Sequence, residues 1–551
     1  MKAKRYIVIL LFIVALALGL RLNKVANNPP ALSWDEVSIG YNAYSILKIG
    51  KDEHGRVFPL DTFISYGDYK PPLAIYVTVP FVAIFGLNEL SVRLPSVLFG
   101  TATVALLYFA VIELLQKAKR DKKILSDSMI GVVGLLTSLS VAISPWHINL
   151  SRAGFEANIG LFFIVLGVYL ALLARRRPSI WLWAWLPLIA CVYTFNSTRY
   201  FAPFMGLGLL IYCWKSIAKA KKYVIPGMII ALVALLPIVP HLLSKNAQLR
   251  FVEVNIFSDS SIVKTSNDRI AFDNNSFLSK ILHNRRIGYA RSFLIHYFDN
   301  VTPDFLFIKG DGNPKFSTQE VGQLYLIDLP FLLIGIYYMF TYFTGEALLI
   351  SYWLLAAIIP AAVARETPHA LRILNSLPPW HMFIAFGLVM FLYIIVKRQK
   401  TLVTILICCV YLLSIGYYLH DYYVHYPITY SNEWQYGYKQ ALEYVNQYGS
   451  SYNKIYLTEE IGRAYMYTLF YTKYNPAKYL SEKKSYFDAA GFYHVDGFNK
   501  YLFPITMPTN FSKGSLYIFP SDQVPPGATI KKIIPLLNGN PYLTIFEKSH
   551  I

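Results

Sequence analysis

Residues able to do chemistry cluster early in this chain: Ser33-Trp34-Asp35-Glu36, then Lys51-Asp52-Glu53-His54-Gly55, then Asp68-Tyr69-Lys70-Pro71-Pro72. Adjacent carboxylates just past an apolar segment suit a general base. Partial loss of water near a membrane surface raises an Asp pKa toward a useful value. The competing reading is a solvated acidic helix start with Asp35 as its cap. Asp52, Glu53 and His54 carry donors for a divalent cation, although a polar turn ending at Gly55 is the simpler account. Further polar residues sit at the ends of apolar stretches: His147, Arg152 and Glu156; Arg199; Arg365, His369 and Arg372. A shared anion such as a phosphate explains several arginines so placed, through charge-assisted bidentate contacts. Any single one of them has the alternative of a local carboxylate partner or of snorkelling to an interface.

The elements that must position these groups are read from composition. Of 551 residues, 55% are hydrophobic and 15% charged, against about 25% charged in soluble domains. That excludes a purely soluble protein, and 16% aromatics exclude a disordered one. The net charge of +19 does not point to nucleic acid, because much of the Lys and Arg lies in short runs between apolar stretches. The runs are Lys2 to Arg5, Lys117 to Lys123, Arg175 to Arg177, Lys215 to Lys222 and Lys397 to Lys400, the pattern of cytoplasmic loops. Cys191, Cys213, Cys408 and Cys409 all lie in apolar runs and read as small hydrophobes, with no disulfide or zinc spacing.

A membrane span needs about 20 apolar residues. Eleven segments are candidates: 6–22, 94–115, 129–146, 157–174, 180–196, 200–214, 223–243, 325–343, 347–363, 380–396 and 401–418. The first reads as an uncleaved membrane helix, since no small-residue cleavage site follows it. Pro71 to Phe85 is apolar but short and proline-broken. Only if it lies along the interface do all basic runs fall on the cytoplasmic side. The first outside loop (23–93), the long outside loop (244–324) and the C-terminus then face outward. Two domains follow: 1–418 in the membrane, and 419–551 as an extracytoplasmic α/β domain. In the latter, Glu433 to Tyr448 has helical spacing, and Lys454 to Thr458 and Leu516 to Pro520 read as strands. Ile530 to Glu547 reads as two strands around Asn538-Gly539-Asn540-Pro541.

Trp34-Asp35-Glu36, then Tyr69-Lys70-Pro71-Pro72-Leu73, then Gly86 through Arg93-Leu94-Pro95-Ser96, and Ser144-Pro145 through Ser151-Arg152 occur in an order that resembles the GT-C superfamily of membrane glycosyltransferases. The resemblance is to the protein O-mannosyltransferases and the aminoarabinose transferases of lipid A, and is clearest over residues 1 to about 200. It implies a polytopic GT-C-like fold and inverting transfer of a sugar from a polyprenyl- or dolichyl-phosphate carrier to an acceptor hydroxyl on the outer membrane face. Asp35 takes the place of the family's catalytic aspartate, with Glu36 positioning or hydrogen-bonding beside it. Lys70 takes the basic position directed at the carrier phosphate. Arg152, Arg199, Arg365 and Arg372 are further candidates for that anion. Relatives often have Asp after the Ser-Arg motif; here the nearest acid is Glu156, which puts its role in doubt.

A lipid-linked sugar is already activated, so the protein must supply one base, cationic stabilisation of the departing phosphate and exclusion of water. No Asp-x-Asp pair occurs in the first loop, which speaks against a required metal; a divalent cation remains the one candidate cofactor. The implied partners are the lipid-linked donor, the bilayer, and a protein, lipid or glycan acceptor, with no nucleic acid. The implied location is the plasma membrane, with the N-terminus cytoplasmic. The alternative is a lipid-linked sugar flippase or transporter, for which internal pseudo-symmetry and broken midplane helices would be the marks; neither is legible.

Overall fold

The computed structural model describes residues 2–121, 125–244, 255–396, 398–489 and 491–548. Its contacts divide the chain into two compact units, residues 1–20, 99–150 and 156–418, and residues 21–98, 151–155 and 419–551. The unit that holds the C-terminal segment thus also takes in the first loop, so the division does not follow a single cut at 418.

The first unit is a helical bundle. Among the described residues, eight helices are long and apolar enough to cross a membrane: Lys4–Leu22, Glu89–Gln116, Glu156–Ala174, Asn196–Lys219, Lys221–Leu242, Thr344–Ala362, Leu374–Tyr393 and Lys400–Thr429. Asp127–Ile143 with Pro145–Arg152, bent by 56°, makes a ninth if the pair is one span. These nine answer to nine of the eleven expected segments, and the other two form shorter helices. Segment 180–196 yields a 3-10 turn and the seven-residue Leu186–Val192 helix. Segment 325–343 yields the 15-residue Asp328–Tyr342 helix, about 22 Å long against a hydrocarbon core of about 30 Å. The Leu73–Phe85 helix, 13 residues with Pro80 inside, is shorter still, which suits a helix lying along an interface. Residues 122–124 of the basic run and 245–254 of the long loop lie outside the described residues.

Close approach holds the bundle together where side chains are smallest. A Cβ on Gly335 would collide with the Phe383 carbonyl, and one on Gly387 with the Phe331 carbonyl. The Asp328–Tyr342 and Leu377–Met390 helices therefore cross backbone to backbone, as small residues permit in membranes. The Trp353 indole donates to the Asn375 carbonyl at 2.7 Å.

The second unit is α/β. Its seven strands are β3 (Lys454–Leu457), β4 (Lys484–Phe487), β5 (Tyr493–Phe498), β6 (Tyr501–Leu502), β7 (Ser515–Pro520), β8 (Thr529–Pro535) and β9 (Pro541–Glu547), preceded by a hairpin of β1 (Phe63–Ser65) and β2 (Asp68–Lys70). The sheet order is β4-β5-β6-β3-β7-β9-β8, with β3 parallel to both β6 and β7 and the remaining pairs antiparallel. The strands expected near 454, 516 and 530–547 are present. The helix expected from Glu433 begins at Tyr438, because Gln435 and Gly437 take positive φ and break it. Val37, Tyr41 and Phe63 of the first loop share one apolar core with Tyr438, Ile455, Leu469, Phe470 and Leu516. The Tyr467 hydroxyl also donates to the Leu32 carbonyl at 2.8 Å. The 419–551 segment therefore buries its apolar face against the first loop.

Candidate active site

The site starts from a helix cap. Ser33 Oγ accepts the Glu36 N–H at 3.4 Å, and Glu36 Oε2 accepts the Ser33 N–H at 2.9 Å, a reciprocal capping box for the Trp34–Ile49 helix. The cap is therefore Ser33, and Asp35, expected as the alternative cap, sits in the first turn with its carboxylate directed elsewhere.

Glu36 is engaged on both oxygens. Oε1 takes the Arg93 Nε–H at 2.8 Å and the Gly154 N–H at 2.9 Å, and both side chains of the ion pair are 0% exposed. The Arg93 guanidinium also donates to the carbonyls of Val25, Pro29 and Ala31. Glu36, expected to position or hydrogen-bond beside Asp35, is an anchor in the fold: both of its carboxylate oxygens accept protein donors and its side chain is 0% exposed.

Arg152, expected as a candidate phosphate ligand, is likewise held by protein groups. It is 0% exposed, donates to the carbonyls of Arg21, Asn23 and Asn28 and to the hydroxyls of Tyr422 and Tyr423, and packs against both tyrosine rings. Its fork is filled by protein acceptors, so it holds residues 21–28 in place. Two buried arginines thereby fix the strand of chain that leads into Asp35.

Asp35 keeps its exposure. Its Oδ1 lies 2.8 Å from Lys70 Nζ, with the Asp35 side chain 38% exposed and that of Lys70 9%. Lys70 is delivered by β1 and β2, whose register pairs Phe63 with Lys70 and Ser65 with Asp68. The two-residue turn between them, Tyr66-Gly67, has φ of 58° and 94°, the left-handed pair that a tight hairpin needs. A Cβ at Gly67 would also lie 2.5 Å from the Gly491 carbonyl. The Ser38 and Ser65 hydroxyls, 2.5 Å apart, tie hairpin to helix.

The positive φ at Tyr66 turns its side chain inward, where the hydroxyl donates to the Trp34 carbonyl at 2.7 Å. The Arg463 guanidinium lies over the Tyr66 ring at 4.7 Å. Gly462 and Arg463 both take positive φ, 105° and 57°, in a turn whose Gly462 packs against the Trp34 indole. The same turn carries Glu459, one of whose carboxylate oxygens is buried with no hydrogen-bond partner among the described residues. Burial pushes the Glu459 carboxyl up to about 7, against the pull of Arg463. Trp34, Tyr66, Glu459 and Arg463 thus form a corner next to Asp35. The sequence reading missed Glu459 and Arg463; the signal was there in adjacent Glu459-Glu460 before a glycine.

The Asp52-Glu53-His54 segment is a turn. Asp52 Oδ1 accepts the N–H groups of His54 and Arg56. Glu53 bonds to Asn42 and accepts the Tyr465 hydroxyl at 3.2 Å. Burial pushes the Glu53 carboxyl up to about 8 and the His54 imidazole down to about 3. Asp52 Oδ1, Glu53 and the His54 ring thus have protein partners, while Asp52 Oδ2 is buried with none among the described residues.

The other expected anion ligands belong to the first unit. Glu156 opens the Glu156–Ala174 helix and is buried. Arg199 Nε donates to the Val192 carbonyl at 3.0 Å. Arg365 Nε donates to the Asn255 carbonyl at 3.2 Å, and Arg372 lies 4.0 Å from Glu366. The structure brings Asp35, Glu36, Lys70 and Arg152 into one unit and leaves these four in the other. Asp311, in the Asp311-Gly312-Asn313-Pro314 turn, caps that turn through Asn313 N–H and also accepts the Ala370 N–H.

Residues 69–243, about a third of the chain, match the family model described as dolichyl-phosphate-mannose-protein mannosyltransferase; the segment contains Lys70, Arg152, Glu156 and Arg199. A search of curated proteins returns no match. The crystal structure of ArnT from Cupriavidus metallidurans bound to undecaprenyl phosphate superimposes with a TM-score of 0.52 at 12% identity, covering 97% of this chain and 97% of that one. ArnT of the same organism in the apo state gives 0.51 at 12% identity, covering 99% and 98%. The archaeal oligosaccharyltransferase AglB from Archaeoglobus fulgidus, in complex with an inhibitory peptide and a dolichol-phosphate, gives 0.47 at 11% identity, over 81% of this chain and 58% of that one. Over nearly its whole length the chain thus has a fold like that of ArnT, and residues 69–243 match the mannosyltransferase family model.

Proposed function

We propose that this protein is an inverting glycosyltransferase that moves a sugar from a polyprenyl-phosphate carrier to an acceptor hydroxyl on the outer face of the membrane. The observation that carries the reading is the Asp35–Lys70 pair at 2.8 Å. It is half-open, while neighbouring Glu36 and Arg152 are saturated. In the reaction the acceptor oxygen attacks the anomeric carbon, the bond from that carbon to the phosphate oxygen breaks, and polyprenyl phosphate departs with the bonding electrons. The acceptor proton passes to Asp35. An ammonium has three donors, so Lys70 can hold the Asp35 carboxylate and a phosphate oxygen together, stabilising the charge that develops on the leaving group. In-line attack on the face opposite the phosphate inverts the anomeric centre. The half-exposed Trp34 indole and the Glu459–Arg463 turn supply the surface against which an acceptor would rest.

The test is transfer of label from a radiolabelled polyprenyl-phosphate hexose in membranes carrying wild type or Asp35→Asn. Loss of a general base lowers the rate by about 10²- to 10⁴-fold. Equal transfer by both proteins removes Asp35 as the base. Movement of the lipid across vesicles without transfer would make the protein a flippase.

A further inference from the structure

Three helices of the long loop form an appendage with its own groove: Ser260–Phe272, Phe277–Leu282 and Arg285–Asp299. The first and third lie side by side. A Cβ on Gly288 would come within 2.8 Å of Ile262 Cγ2 and 3.5 Å of Ser266 Oγ, so glycine sets their close approach. Between them is a cavity of about 230 Å³. Its lining follows one face of each helix, Ser261, Thr265 and Arg269 on the first and Gly288, Arg291 and Ser292 on the third.

The polar part of this lining is cationic and hydroxyl-rich, and it is set among Ile262, Leu282, Ile287 and Ile295. Among the described residues, neither the Arg269 nor the Arg291 guanidinium has an ion-pair or hydrogen-bond partner. No carboxylate lines the cavity, and from Ser260 to Asp299 there are six Lys or Arg against three Asp. Around the groove the surface is apolar: Phe272 is 89% exposed and Phe277 81%, and Leu278, Leu282, Leu294 and Phe298 are exposed too.

The appendage is fastened to a membrane helix. The Tyr297 hydroxyl donates to the Leu355 carbonyl at 2.9 Å, and His296 Nδ1 to the Ala364 carbonyl at 2.8 Å. Leu355 lies seven residues before the end of the Thr344–Ala362 helix, about 10 Å along its axis. The third helix thus runs beside the last turns of a membrane span, at the depth where amphipathic helices bury apolar faces between headgroups and acyl chains. Exposed phenylalanines belong among acyl chains there, and unpaired guanidiniums belong with lipid phosphates.

We propose that the groove between the Ser260–Phe272 and Arg285–Asp299 helices binds the headgroup of one anionic phospholipid from the surrounding bilayer. Arg269 and Arg291 take the phosphodiester, Ser261, Thr265 and Ser292 take headgroup hydroxyls, and the acyl chains run along the exposed Phe and Leu side chains. This site shares no residue with the Asp35–Lys70 pair and stands whether or not the chain transfers sugars.

Native mass spectrometry of the full-length protein, equilibrated with phosphatidylglycerol and phosphatidylcholine, tests it. Wild type is expected to retain one phosphatidylglycerol in preference to phosphatidylcholine. Arg269→Gln with Arg291→Gln should weaken that retention by about ten- to a hundredfold, as expected for losing charged hydrogen bonds. Lys264→Gln with Lys280→Gln, which removes two cations of the same three-helix appendage that do not line the groove, should leave it unchanged. Arg269→Lys with Arg291→Lys keeps the charge and should retain lipid at an intermediate level. Equal retention of the two lipids overturns the proposal, as does an equal loss in the two Gln pairs, which would mean diffuse attraction. Displacement of phosphatidylglycerol by an equal concentration of polyprenyl phosphate also overturns it, assigning the groove to the carrier lipid.

Discussion

Adjacent residues Asp35 and Glu36 should respond to amide substitution in opposite ways. Glu36→Gln removes a charge from a pair in which both side chains are 0% exposed, with Arg93 Nε 2.8 Å from Oε1. Breaking a buried ion pair by removing one partner costs about 3–5 kcal/mol. The amide keeps the shape but offers one acceptor oxygen where Ser33, Gly154 and Arg93 now use two. A loss of about 3 kcal/mol is therefore expected, roughly a 10²-fold shift of the local folding equilibrium. Asp35→Asn removes a charge from a side chain that is 38% exposed, and exposed pairs contribute about 0–1 kcal/mol. The assay pairs thermal unfolding in detergent with single-turnover transfer measured well below the melting temperature. Glu36→Gln should melt markedly early yet transfer at a near-normal rate per folded molecule. Asp35→Asn should melt within a degree or two of wild type and lose transfer by about 10²-fold or more. If Glu36→Gln melts like wild type and transfer is lost, Glu36 is the base and the burial argument fails.

Arg152→Lys should destabilise the second unit despite keeping the charge, because an ammonium cannot serve the five acceptors that the guanidinium now reaches; an unchanged melting temperature would refute the anchoring role. Burial raises the Glu53 pKa from 4.5 to about 8 in the folded protein, so the folded state holds a proton that the unfolded chain releases. Its contribution to stability is full below about pH 4.5 and lost as pH rises through about 8. Melting temperature should fall over that window in wild type and fall less in Glu53→Gln, and parallel profiles would remove Glu53 as the source. Glu459→Gln should slow transfer to the acceptor about tenfold or more while slow hydrolysis of the donor by water continues, and equal loss of both would mean that Glu459 does not face the acceptor. Gly67→Ala places a Cβ at φ 94° and 2.5 Å from the Gly491 carbonyl; strain of about 1–3 kcal/mol is expected, read as a lower melting temperature with Lys70 displaced from Asp35.

Composition and hydropathy alone determined that the chain is a multi-helix membrane protein with a polar α/β segment at its end. Those properties are summed over tens of residues, and no single contact can reverse them. The order of Trp34-Asp35, Tyr69-Lys70 and Arg93 was legible for the same reason: each lies beside a helix or hairpin whose local signals, Ser33 as cap and Gly67 as turn, are written in adjacent residues. Span number was less legible, because 180–196 and 325–343 read as spans in hydropathy but form shorter helices in the fold. What only the tertiary structure decided is the fate of each charge. Glu36 and Asp35 are neighbours with the same functional group, yet one is walled in by Arg93 and Gly154, which are 57 and 118 residues away, and the other opens toward Lys70. Arg152 reads in sequence like a phosphate ligand, and its acceptors come from residues 21–28 and 422–423. Glu459 and Arg463 join Trp34 and Tyr66 across more than 390 positions. Partners so distant leave no local pattern, because burial and pairing are fixed by which surfaces meet in the folded chain.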